Sequence, residues 1–416
     1  MKRWTTAVAA VVVAASVLVV AQPAAADEIR DRQYWLSEYG ITGAWQATRG
    51  AGVTIAVIDT GIDGSHQDLR GAVVGGTDVS GIGSPNGQTP VGDDSRHGTL
   101  VASVLAGRGH GDGAGVIGVA PAASLLAVSV GFGVGTRTSD EQIADAVRWS
   151  VDNGADVINM SLTRNTLDWP QSWDDAFLYA MENDVVVVAA AGNRGSGTAV
   201  VGAPATMPGV LTVAGVDRSA QASDDASSQG ITISVSAPSE ALVGAGTGDT
   251  YFEWAGTSGA APLVAGLVAL VRSAHPELDA NNVINRVIRT ATPVAGAVPS
   301  PLYGYGLIDA RAAVFDEVAL VEANPMGDLR EWIRLNRRAE AAPEPSEPLP
   351  SPSASAEPAP APPPAAPSNP LGGALPTVES LRDVGIPLLV VGGFGSLLVL
   401  ALVLAGRQLR RLRRES

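Results

Sequence analysis

The sequence has four histidines and no cysteine, so the search for a general base is short and a thiol nucleophile is excluded. His66 sits in a polar turn and His110 in a glycine-rich loop. His275 ends an apolar stretch just before Pro276, where a histidine commonly interacts with a helix dipole. His97 differs. It opens His97-Gly98-Thr99-Leu100-Val101-Ala102-Ser103, a small-residue helix start, and the adjacent glycine lets another backbone or a substrate come close. Asp59 follows the β-branched run Val53 to Ile58 and precedes Thr60-Gly61, which puts a carboxylate at a strand's carboxyl end. A turn or helix-cap role fits Asp59 equally well. Ser258 lies in Gly256-Thr257-Ser258-Gly259-Ala260-Ala261-Pro262, ahead of the apolar run Leu263 to Val271. That run reads as a buried helix with Pro262 in its first turn, a position proline tolerates. Unpaired N–H groups at such a helix start favour developing negative charge, although an ordinary serine N-cap fits the same residues. Asn193 follows Ala190-Ala191-Gly192 at the end of another apolar run, where an amide could donate to a tetrahedral oxyanion or simply make a turn. A nucleophile needs a base and an orienting acid, and spacing in sequence leaves open whether these groups meet.

The elements that must position them are read from periodicity. Val53 to Ile58, Ser124 to Val130, Val157 to Met160, Val185 to Ala189 and Val210 to Ala214 are near-continuous apolar runs, as in parallel strands covered on both faces. Helix-like segments, Ser139 to Asn153 and Trp173 to Asn183, lie between them. Ser139 is placed to cap the first, with Gln142 three residues on and Gly154 after its end. Strand and helix alternating in this way predict a doubly wound α/β domain, whose functional groups gather beyond the carboxyl ends of the strands.

Together these segments resemble the subtilisin family, the subtilases. Val57-Ile58-Asp59-Thr60-Gly61 is similar to the family's aspartate motif, and His97-Gly98-Thr99 with Val101-Ala102 to its histidine motif. Ala190-Ala191-Gly192-Asn193 resembles the oxyanion-asparagine segment and Gly256 to Pro262 the serine motif, in the chain order Asp, His, Ser. Asp156 to Leu162 resembles the strand on which family members pair the substrate backbone. The resemblance spans about residues 35 to 315 and implies a subtilisin-like α/β fold, mostly parallel, with helices on both faces. It implies a serine endopeptidase acting on polypeptide. Ser258 would attack the scissile carbonyl, His97 would carry the proton, and Asp59 would hold the imidazole. Asn193 and the Ser258 N–H would form the oxyanion hole. Gly131, Phe132, Gly133, Ser161, Leu162, Ala190, Ala191 and Gly192 would flank the substrate.

Some positions depart from the family pattern. Arg96 stands where a glycine is usual, Leu100 and Leu263 where histidines are common, Gly259 for a methionine, and Thr163-Arg164 for a glycine pair. Calcium is frequent in the family, but no dense ligand loop is evident, and Asp93-Asp94 reads as a solvated turn; no cofactor is expected, and a structural calcium is left open.

The ends are of another kind. Residues 1–26 read as a signal peptide, with Lys2 and Arg3, an apolar centre from Ala7 to Val20, and Ala24-Ala25-Ala26 before the cleavage point. An N-terminal extension (27–50), too short for a folded inhibitory prodomain, leads into the peptidase domain (51–320) and its helical or extended tail (321–338). A Pro/Ala-rich linker (339–384) follows, unable to bury enough apolar surface to fold. Gly385 to Gly406 carries no charge and is long enough for one transmembrane helix. The basic tail (407–416) places the C-terminus in the cytoplasm and the body outside. A net charge of −15 argues against nucleic acid as a partner. Signal, subtilase body, proline-rich spacer and anchor in this order are similar to the mycosins, proteases of the type VII secretion system. That similarity implies association with the secretion machinery, with a structural role in the complex as the alternative to proteolysis.

Overall fold

The computed structural model describes residues 28–337 apart from positions 136, 198 and 295. The expected signal peptide, linker, spanning helix and basic tail lie outside the described residues. The strands are β1 (Thr54–Asp59), β2 (Val73–Asp78), β3 (Arg108–His110), β4 (Ala114–Ile117), β5 (Ser124–Ser129), β6 (Val157–Met160), β7 (Val186–Ala190), β8 (Leu211–Val216), β9 (Ile233–Pro238), β10 (Leu242–Ala245) and β11 (Tyr251–Trp254). Seven of them make one sheet in the order β2-β5-β1-β6-β7-β8-β9, with every neighbouring pair parallel. The pairs β3–β4 and β10–β11 are antiparallel hairpins.

The helices are α1 (Glu28–Asp31), α2 (Trp35–Glu38), α3 (Ile41–Ala44), α4 (His97–Ala106), α5 (Ser139–Asp152), α6 (Gln171–Glu182), α7 (Thr257–Ala274), α8 (Ala280–Arg289), α9 (Ala310–Phe315) and α10 (Leu329–Asn336). One face of the sheet buries Ile55, Val57, Val157 and Val188 against α4 and α7. The other face buries Ala56, Ile58, Ile158 and Val187 against α5 and α6. The alternation within each strand is therefore real, but both faces are apolar and the sequence reads as a continuous run. The chain passes from β1 to β2 and β5 on one side, then crosses to β6 on the other. This reversal opens a crevice at the carboxyl end of β1, where Asp59 lies. Helix α7 is apolar enough to cross a membrane by composition, yet it is the buried central helix of this core.

Two local expectations are corrected. The cap of α5 is Thr138, whose extended backbone lets its hydroxyl accept from the Glu141 N–H while Glu141 reaches back, a capping box. Ser139 is already helical, and Gln142 is buried, bonding both peptide groups of Gly131. Pro262 lies in the second turn of α7, because the helix starts at Thr257.

Both ends of the described chain are fastened to this core. The Gln33 side chain bonds both the N–H and the carbonyl of Ile117, and Trp35 is fully buried. At the other end α10 forms the helical tail. Arg337 donates to the buried Asp174 carboxylate (2.7 Å), which also accepts from Trp169 Nε1 (2.6 Å). The guanidinium lies over Trp332 and Trp169. Removing one partner of such a pair strands the other as a buried charge. Arg337→Ala should therefore cost about 3 kcal/mol in urea unfolding of the full-length protein, and adding Asp174→Asn should recover part of it. An unchanged unfolding midpoint in the single variant would refute the clasp.

Candidate active site

The strand β1 delivers Asp59 to the crevice with its carboxylate 1% exposed. Its Oδ1 accepts from the Thr60 N–H (2.7 Å), and both oxygens face His97 Nδ1, at 2.8 and 3.0 Å. His97 is the first residue of α4, so its ring is set by that helix's start. Thr60 holds this start against β1: its hydroxyl accepts from the Gly98 N–H (3.0 Å) and donates to the Ser95 carbonyl (3.1 Å). Gly98 is needed for the approach, since a Cβ there would lie 2.2 Å from the Gly61 carbonyl oxygen. The Trp254 ring meets the imidazole edge to face, with centroids 6.0 Å apart.

Ser258 is the second residue of α7, after Gly256 at φ 136°, where only glycine is comfortable. Its hydroxyl donates to the Ser161 carbonyl (3.2 Å), and the Ser161 hydroxyl donates back to the Ser258 carbonyl (2.8 Å). Asn193, just past β7, is oriented by Thr257. Its Oδ1 accepts from both the Thr257 N–H (2.8 Å) and the Thr257 hydroxyl (2.9 Å), so the NH2 group remains to donate elsewhere. His97, Asn193 and Ser258 line one cavity of about 350 Å³, together with Asp94, Arg96 and Trp254. Three groups 161 residues apart in sequence at the extremes, His97 and Ser258, are thus brought to one wall-lined cleft. Burial works to lower the His97 pKa, but the charge of Asp59, its hydrogen bond and the charge of Asp94 together raise it above the ordinary 6.5.

Comparison with known proteins decides the family: the model of the subtilase family matches residues 50–306. The chain is a subtilase. As such it is a serine endopeptidase of the subtilisin type. It is 39% identical to subtilisin E of Bacillus subtilis over 270 residues, covering 64% of this chain and 67% of that protein. Among solved structures it resembles MycP1 from Mycobacterium smegmatis, with a TM-score of 0.60 and 28% identity over 73% of this chain and 88% of that one. It also resembles MycP1 from the ESX-1 type VII secretion system, with a TM-score of 0.59 and 28% identity over 70% and 88% of the two chains.

The remaining expected site residues of this subtilase fall in two groups. Ser161 and Leu162 continue from β6 beside the serine, while Ala190, Ala191 and Gly192 lead into Asn193. Phe132 and Gly133 form an exposed loop beyond β5, with Gly131 fixed beneath them by Gln142. Gly192 has its N–H taken by the Thr257 hydroxyl (3.1 Å) and its carbonyl by the Ser228 N–H (2.7 Å). The other histidines lie away from the cleft. His66 is fully buried and meets the Thr250 carbonyl, His110 pairs with Asp68, and His275 bonds the Val314 carbonyl. No cluster of three or more metal-ligating side chains occurs among the described residues.

Sequence reasoning missed Thr60, Thr257 and Trp254. The first two sit directly beside a motif residue, and a hydroxyl next to a strand end or helix start was the available signal. Trp254 carried none, since its contact with His97 comes from the hairpin. The raised His97 pKa predicts an imidazole midpoint above 6.5 in an NMR titration of the full-length protein, and Asp94→Asn should lower it. A midpoint unmoved by Asp94→Asn would show that the exposed carboxylate is screened out.

Proposed function

We propose that Ser258, His97 and Asp59 are the catalytic triad, with Asn193 and the Ser258 N–H as the oxyanion hole. The observation that carries this reading is the His97–Asp59 pair (2.8 Å) facing a cavity shared with Ser258 and an Asn193 amide already oriented by Thr257. An extended polypeptide pairing along Ser161–Leu162, beneath the loop of Gly131, Phe132 and Gly133, competes for the Ser161 carbonyl. That frees the Ser258 hydroxyl to turn to His97 Nε2. Oγ then attacks the scissile carbonyl carbon while its proton passes to Nε2, and Asp59 stabilises the imidazolium through Nδ1. The negative oxygen of the tetrahedral intermediate takes hydrogen bonds from Asn193 and the Ser258 N–H at the start of α7. The carbon–nitrogen bond breaks as Nε2 returns its proton to the leaving amine. Water, deprotonated by the same nitrogen, then releases the acyl group. Because the His97 pKa is raised and the base must be neutral, the acid limb of kcat/KM should fall above pH 6.5.

The finer reading is a membrane-anchored enzyme with its body outside the cell, working with type VII secretion machinery. It is supported by the uncharged run 385–406 followed by five arginines, and by the likeness to MycP1 from the ESX-1 type VII secretion system.

A fluorophosphonate should label the full-length protein, and Ser258→Ala or His97→Ala should abolish labelling. Asn193→Ala should lower kcat by about 10²–10³. No labelling of folded wild type would defeat the triad reading. If Ser258→Ala restores secretion to a deletion strain, proteolysis is dispensable and the role in the complex is structural.

A further inference from the structure

Helix α7 has an internal flaw at its most sensitive point. Pro262 lacks an N–H, so the carbonyl four residues earlier loses its intrahelical partner, and that carbonyl belongs to Ser258. The Ser161 hydroxyl fills the vacancy at 2.8 Å. A hydroxyl has one proton, and a hydrogen bond received by its oxygen from elsewhere turns that proton toward Ser258. Asn159 supplies it: its Nδ2 donates to Ser161 Oγ at 3.0 Å.

Asn159 is an odd occupant of its place. It is fully buried in β6, on the sheet face beneath α7, and paired in register with Val57 and Val188. The other residues of β6 are Val157, Ile158 and Met160. Its Oδ1 has no hydrogen-bond partner among the described residues. A valine would avoid the desolvation of that oxygen, so the amide is kept against the stability of the strand. What it does that valine cannot is fix the direction of the Ser161 hydroxyl.

We propose that Asn159 is a positioning residue for the nucleophile, acting through the Ser161 hydroxyl on the Ser258 main chain. It replaces from outside the helix the hydrogen bond that Pro262 removes. The relay holds the first turn of α7, and with it the Ser258 N–H and Oγ, in the orientation that hydrolysis uses. The same Ser161 offers its carbonyl at the cleft, so the strand that docks the peptide also sets the nucleophile. This inference rests on Ser258 being the nucleophile.

The test is a double-mutant cycle in the full-length protein with a peptide amide substrate, normalised by fluorophosphonate active-site titration. Asn159→Val and Ser161→Ala should each lower kcat by roughly ten- to a hundredfold, with KM little changed, because geometry rather than binding is lost. The double variant should be no slower than Ser161→Ala alone, since the two act in series. If Asn159→Val folds poorly, Asn159→Ser, too short to reach Ser161 Oγ, gives the same reading. Wild-type kcat per titrated site in Asn159→Val, whatever its melting temperature, would overturn the inference and leave Asn159 a core residue. A double variant slowed by the product of the single effects would also overturn it. Wild type that takes no label would instead defeat the assignment of Ser258.

Discussion

A carboxylate that is almost wholly buried must be given hydrogen bonds by the fold, and Asp59 is that carboxylate. Its oxygens are met by His97 Nδ1 and the Thr60 N–H, and the rest of the site follows from that demand. The start of α4 has to abut the end of β1, so residue 98 must be glycine, and Thr60 bridges the two elements. Once the imidazole is fixed there, Ser258 and Asn193 need only arrive from α7 and β7. They come locked together, because Thr257 bonds Asn193 and lies beside Ser258. The cost of burying Asp59 is thereby tied to the place of His97, since truncating either partner strands the other.

How much of this was legible in the sequence depends on how far apart the interacting residues lie. Five of the seven strands of the main sheet were plain, because a run such as Val186–Ala190, buried on both faces, has no polar position to disguise it, whereas Gly75-Gly76 in β2 and Ser234 and Ser236 in β9 interrupt theirs. Their order was not, since buried strands look alike and only the crossover from β5 to β6 reveals the reversal. The four site residues were visible as candidates through their positions at element ends. Their convergence was supplied by resemblance, because nothing local links His97 to Ser258. Capping was misplaced by one residue at Thr138, where adjacent Thr and Ser carry the same signal and backbone geometry decides. The site of Pro262 was misjudged because the small residues Gly259 to Ala261 gave no sign that the helix had already begun.

Departures from the family pattern are absorbed by neighbours that sequence cannot name. A Cβ at Gly259 would lie 2.2 Å from Leu242 Cδ1 and 3.3 Å from the Trp254 ring, so the space a methionine would need is already filled by the hairpin. Leu100 is 4% exposed and lies 3.1 Å from where a Cβ on Gly244 would stand, so an apolar side chain suits it. Arg96 stacks over Phe252 at 4.6 Å and stands 3.4 Å from Asp94, turning its charge along the rim of the cleft. Arg164 turns to Asp140 and lies over Trp173, on α5 and α6. In each case a changed residue is matched by one brought near only by the fold, which keeps the interior close-packed.

The hairpin β10–β11 joins these compensations to the N-terminal segment. Trp254 walls the cleft against His97, and the same hairpin is gripped from outside by residues before β1. Arg32 pairs with Glu253, but both are well exposed, and such surface pairs contribute little. The segment is held to the core by burial. Trp35 is fully buried, and the neighbouring Tyr34 hydroxyl donates to the Glu240 carbonyl just ahead of β10 (2.8 Å). Burying a large aromatic ring is worth a few kcal/mol, well above a surface ion pair. The N-terminal segment is therefore integral to the peptidase core. Its side chains reach the hairpin through Tyr34 and Arg32, and the hairpin carries Trp254, whose ring bounds the imidazole.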